Sequence, residues 1–285
     1  YIFLRNDLRL LAKVDLIADD GTGIKIYSRG NDSSQSQSSQ SSQPLQDLTV
    51  SIHQLDLDQL TSVLPFVPRL AGLLDGDFHT IMNQEKQISV AGDMQIASMV
   101  YEGSRIGNLG TEFVYLQRED DSHAIDGTLM LDEQAVASLS GSYVNKKTSN
   151  EHEHIDGLLT LEHTPLNLVN GFIPDQLMGL EGFANGELSI RGSLSRPVLD
   201  GELVLDSAFL VSNPYGVRLR FDPDPVRIEK SRLLLENFAI YAYNDNALNM
   251  QGSLDFSNPS DMNIDVRMRA QDFMLINSKQ TIGSL

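Results

Sequence analysis

The chain has 285 residues, 41% of them hydrophobic, no cysteine, and a net charge of −18 with a pI near 4.5. That length holds one large domain or two ordinary ones, the missing thiols exclude disulfides and thiolate metal sites, and the acidity argues against nucleic acid or an anionic lipid surface as an electrostatic partner. No apolar run approaches the ~18–20 residues of a membrane-spanning helix, no signal peptide is present, and a chain opening on Tyr1 reads as part of something longer, with any membrane anchor outside it.

In chain order, "DDGTG" (19–23) reads as a β-turn, because no Lys-Ser/Thr pair or helix follows to make it a phosphate loop. "GNDSSQSQSSQSSQ" (30–43) is polar, low in complexity and too poor in apolar residues to order itself, so it is expected to be a disordered excursion from a hairpin tip. "DLTVSIH" (47–53) alternates Leu48, Val50 and Ile52 with polar residues, as a strand with one wet face does. The same period recurs at "VRLRFD" (217–222) and "NIDVRMR" (263–269). "DLDQLTSVLPFVPRLAG" (56–72) predicts a short helix with Leu57, Leu60, Val63 and Leu64 on one side, stopped near Pro65 and Pro68. "TPLNLVNGFIPDQLMGLEG" (164–182) predicts a second, capped by Thr164 with Pro165 at its first position and broken at Gly171 and Pro174.

A short phrase, Gly-x-Φ-x-Φ with Φ apolar, starts at Gly92, Gly127, Gly157, Gly186, Gly201 and Gly252, and more loosely at Gly76. Nine of its twelve intervening positions are polar, so one face is wet, and the glycine is read as the turn before each strand. "NPYG" (213–216), "DPDP" (222–225), "NDN" (244–246) and "NPSD" (258–261) punctuate the later strands. Matching Gly76 with Gly186 gives a repeat of about 110 residues. The expected organisation is leading strands plus the Ser/Gln-rich loop over 1–43, a first β repeat over 44–163 and a second over 164–285.

Many one-sided strands and two short helices leave an apolar face that the helices cannot cover. It can close as a barrel, fold into a sandwich, or curl into a trough; strands added by repetition favour the trough, since a closed barrel has a fixed strand number. The expected fold is therefore mainly β: an elongated, curled antiparallel sheet, a β-taco or groove, with an apolar interior and two short helices. Such an interior suits an acyl chain. Each buried methylene is worth ~0.8 kcal/mol, so a sixteen-carbon chain gains about 13 kcal/mol from full shelter. The candidate lining, taken from the Φ positions and from the apolar side of the alternating strands at 217–222 and 263–269, is Leu129, Leu131, Leu159, Leu161, Leu188, Ile190, Leu203, Leu205, Val217, Leu219, Phe221, Leu254, Phe256, Ile264, Val266 and Met268.

Catalytic chemistry does not emerge. In "EHEH" (151–154) His152 and His154 would share a strand face, but no third ligand has telling spacing and the stretch follows the loop-like "NKKTSN". "EDD" (119–121) lacks the spacing of a calcium loop, and "GSRIG" (103–107) puts its serine one place early for a nucleophile elbow. No metal, cofactor or catalytic residue is expected.

"NGELSIRGSLSRPVLDGELVLDSAFL" (185–210), with "LNLVNGFIPDQLMGLEG" before it and "LENFAIYAYNDNALNMQGSLDF" (235–256) after it, carries a family likeness. The stretch resembles the C-terminal region of the TamB family of translocation and assembly module proteins, in the AsmA-like superfamily, over most of 44–285. The Ser/Gln-rich insertion departs from that pattern. The resemblance implies a non-enzymatic bridge across the periplasm of a diderm bacterium, anchored in the inner membrane by a segment outside this stretch. It implies phospholipid acyl chains in the groove, and a BamA-like or TamA-like outer-membrane barrel reached through the rest of the chain. Two alternatives stand beside lipid passage: helping outer-membrane proteins or autotransporters assemble, and a structural β repeat of a surface protein with a dry core.

Overall fold

A computed structural model describes residues 2–4, 10–28, 44–62, 69–101, 103–144, 153–172, 178–258 and 261–274. The Ser/Gln-rich stretch, Val63, Leu64, Pro65, Pro68, Pro174 and His152 lie outside them. The molecule is mainly β and divides into two units, Tyr1–Tyr101 with Arg105–His154, and Ile155–Leu285 with Glu102–Ser104.

In the first unit β1 (Ile2–Leu4), β2 (Leu10–Ile17), β3 (Gly23–Ser28), β4 (Gln46–Asp56), β5 (Leu70–Met82), β6 (Ile88–Tyr101), β7 (Ser104–Gln117), β8 (Ser122–Leu131) and β9 (Gln134–Val144) follow one another across a sheet. The ladders β1–β2, β2–β3, β3–β4, β4–β5, β5–β6, β7–β8 and β8–β9 are antiparallel, as hairpin connections require. The second unit continues the scheme with β10 (His154–Pro165), β11 (Gly179–Ser193), β12 (Arg196–Ser212), β13 (Val217–Phe221), β14 (Val226–Glu229), β15 (Arg232–Tyr241), β16 (Ala247–Asp255) and β17 (Asn263–Ala270).

"DPDP" does not reverse the chain as its composition suggests. Strands β13 and β14 both lie between β12 and β15, as two halves of one interrupted strand. Pro223 and Pro225 have no N–H to give a ladder, so pairing lapses across them, although Asp222 still donates to the Ala239 carbonyl at 2.9 Å. The helical segments agree with expectation in one case and depart from it in the other. Residues Leu57–Ser62 form a single α segment (α1), entered through Asp56, whose carboxylate accepts from the Asp58 N–H at 3.0 Å. Thr164 and Pro165 extend β10, and a 3-10 helix, not an α-helix, follows at Leu166–Phe172.

The glycine of the repeated phrase is not a turn residue. Each copy sits inside a strand, in register with a large side chain next door: Gly92 faces Phe78, Gly127 faces Phe113, Gly201 faces Leu188, and Gly252 faces Leu235. Directly paired residues share a face, so these glycines lie on the apolar side, where bulky neighbours need room. The turns are elsewhere, at Ala18–Thr22, Asn83–Gln87, Arg118–Ser122 and Ala242–Asn246.

Bulges bend neighbouring strands in each unit. Gln54, Gly72 and Ser98 have positive φ (+47°, +132°, +51°) at the register shifts of β4, β5 and β6. His163, Gly182 and Ser207 (+51°, +97°, +49°) do the same on β10, β11 and β12, each 109 or 110 residues later. The lock is repeated too. The Gln54 N–H donates to Asp75 Oδ1 at 3.0 Å, and the His163 N–H donates to Asn185 Oδ1 at 2.7 Å.

Candidate functional site

Register assigns faces without ambiguity. In the second unit one row runs Leu159, Leu188, Gly201, Ile228, Leu233, Leu254, Ile264 across the strands from β10 to β17. A second row holds Leu161, Gly186, Leu203 and Val226, and then Leu235, Gly252 and Val266. Ile190, Leu205, Val217, Leu219, Phe221 and Met268 fall on the same face by alternation and pairing, and Phe256 lies just past β16, its N–H donating to the Ser231 carbonyl. In the first unit Leu129 and Leu131 share a face with Phe113, whose ring lies 6.2 Å from that of Phe78. Among the described strand residues this face carries no Asp, Glu, Lys or Arg in either unit.

The face is not uniformly open. Leu219, Val226, Leu235, Phe238 and Ile240 pack together and are buried, with Leu205, Val217, Phe221, Val266 and Phe273 against them. Leu188 is also buried, while most of the candidate lining is half-buried. At β17 the apolar residues emerge: Ile264 is 67% exposed and Met268 64%.

Several face residues escaped the sequence pattern. Phe238 and Ile240 did so because "LLLENFAIY" changes parity at a bulge near Glu236 and Asn237, where Asn237 has φ +64°. Val226 and Ile228 lie on a strand of four residues, too short to show a period.

The opposite face is charged, and repeats its own arrangement. Asp77 faces Asp93 on β5 and β6; Glu187 faces Glu202 on β11 and β12, with Arg227 beyond. Shallow concavities of about 610 Å³ and 540 Å³ lie over these two places. Further along, Arg218 and Arg220 lie over the Phe209 and Tyr241 rings at 4.0 and 4.4 Å and pair with Glu181 and Asp245. Tyr241 has its phenol pushed up, first by the Asp222 charge and then by burial.

The acidic motifs are engaged in turns. Asp120 accepts from the Ser122 hydroxyl and N–H, which holds its carboxyl below the ordinary range; Asp20 is lowered in the same way by Thr22. Among the described residues no group of three His, Asp or Glu could hold a metal. His154 opens β10, exposed, and no described helix is long and apolar enough to cross a membrane.

A family model described as TamB, N-terminal domain, matches residues 36–205, more than half of the chain. The match includes the start of the 185–210 phrase; it does not show the C-terminal placement that this phrase suggests. No curated protein and no solved structure matches.

Proposed function

The chain belongs to the TamB family, and from that premise we propose that its apolar sheet face shelters phospholipid acyl chains on their way between inner and outer membrane. Membership itself supports a role in the translocation and assembly module, a non-enzymatic periplasmic bridge that works with a TamA-like outer-membrane protein. The single observation that supports lipid as the cargo is the apolar row of the second unit: seven strands in register, with no charged residue on that face among the described strand residues. Such a surface offers an acyl chain burial without directional chemistry.

The packed cluster around Phe238 divides the labour within the second unit. Its residues hold the sheet together, while Leu159, Leu161, Ile190, Leu203, Leu254, Ile264 and Met268 keep accessible surface for a ligand. Replacing Ile264 and Met268 by Asp tests the reading, since both are exposed and their loss leaves the core intact. Phospholipid co-purifying with the chain should fall several-fold in the double variant; unchanged lipid content, with the sheet still folded, refutes it.

A second reading, assistance to outer-membrane strands, draws on the same two residues. Exposed apolar side chains on β17 would also suit an incoming amphipathic strand. Photo-crosslinking from position 264 in cells separates the two, because it captures either acyl chains or peptide.

A further inference from the structure

Polar chemistry does enter the uncharged face of the first unit, at one edge. Tyr115 stands two residues beyond Phe113, and His123 pairs directly with Tyr143 across β8 and β9, so all three rings are on the apolar side. They stack in a row: Tyr115 to His123 at 5.8 Å and 19°, and His123 to Tyr143 at 5.6 Å and 27°. Tyr115 Oη lies 2.6 Å from His123 Nδ1, which fixes the imidazole orientation and leaves Nε2 outside that bond. Glu153 reaches Tyr143 from beyond the end of β9; burial first, then the Glu153 charge and hydrogen bond, push the Tyr143 phenol up.

The corresponding edge of the second unit is different. There β13 with β14, β15 and β16 take the places of β7, β8 and β9, and Ile228, Leu233 and Leu254 pair in a row with Phe256 just beyond, so neither Tyr nor His stands among them. The cluster is therefore a local feature of the first unit and not a property of every strand end.

We propose that Tyr115, His123, Tyr143 and Glu153 form a headgroup site at the edge of the groove, taking the ammonium of a zwitterionic phospholipid such as phosphatidylethanolamine. The proposal rests on the acyl-chain reading of the same face. Aromatic walls beside a carboxylate suit an ammonium, which gains from the ring quadrupole and a charge-assisted hydrogen bond together. An anionic headgroup meets the opposite situation: a carboxylate at the edge, and no described Lys or Arg among the strand residues of this face. Orientation follows. The headgroup lies at the β7–β9 edge, and the acyl chains run past Phe113 toward the place where Leu109 and Leu131 pair.

The test incubates the purified chain with vesicles of equal phosphatidylethanolamine and phosphatidylglycerol, repurifies it, and measures bound lipid by extraction and mass spectrometry. The wild type should be enriched in phosphatidylethanolamine by roughly fivefold, the size of one exposed cation–π or ionic contact. Glu153→Gln, with Tyr143→Phe as a second variant, should return the ratio toward input while total lipid stays constant. Bound lipid in input proportion, or enrichment that survives both variants, overturns the headgroup site alone. No lipid on wild type or variants overturns the groove reading and the site with it.

Discussion

Gly201 stands directly opposite Leu188, and a Cβ placed on it would come within 2.1 Å of the Glu187 carbonyl oxygen. Gly186 meets the Glu202 carbonyl at the same distance, and its φ of +146° is one that side-chain-bearing residues rarely adopt. Alanine at either position must therefore displace backbone. Each substitution should cost about 2–4 kcal/mol in denaturant unfolding, whereas Gly127→Ala, with nothing nearer than 3.5 Å, should cost under about 1 kcal/mol. Equal losses at all three positions would refute the close-approach explanation.

Asn185→Ala removes the acceptor of the His163 N–H and should destabilise the chain by about 1 kcal/mol, modest because His163 is exposed and water can substitute. Asp75→Asn keeps an acceptor for Gln54 and should be nearly neutral. Amide exchange at residues 54 and 163 reads the two locks separately.

Phe238→Ala should cost about 3–5 kcal/mol, because the ring is buried among Leu219, Val226, Leu235 and Ile240. Ile264→Ala should change stability by no more than about 0.5 kcal/mol. Thermal unfolding of the two variants tells a packed core from a surface kept open for something else.

Ser122→Ala removes the hydroxyl donor but keeps the N–H of residue 122, so the Asp120 carboxyl should rise only part of the way toward its ordinary value of 3.8. The folded carboxyl is held low, so its contribution to stability is complete above that value and disappears as the pH falls through the lowered one. The difference in Tm between wild type and variant should therefore shrink on acidification below about pH 4. A difference unchanged down to pH 2 would mean that the carboxylate is not what the serine holds.

The strands were legible in the sequence wherever alternation ran unbroken, as at 47–53, 217–222 and 263–269, and the face assignment of Leu203, Leu254 and Val266 followed from it. Bulges were not legible. Gln54, Ser98, His163 and Ser207 carry positive φ with side chains that seldom adopt it, and only the neighbouring strand, through Asp75 or Asn185 in two of them, makes the conformation tolerable. The glycine phrase was legible as a repeat yet misread locally, because composition cannot distinguish a residue that turns the chain from one that makes space for Phe78 or Leu188. "DPDP" was read as turn punctuation from its composition, whereas it interrupts one strand between β13 and β14, because its prolines lack ladder donors.

The matched spacing of the two bulge sets has a genetic consequence. A deletion from Gln54 to His163, or its duplication, joins one kinked position to its counterpart with the phase of every later side chain preserved. Such a protein can grow or shrink by whole blocks through unequal recombination, and each product would keep its greasy and its charged surfaces on their proper sides.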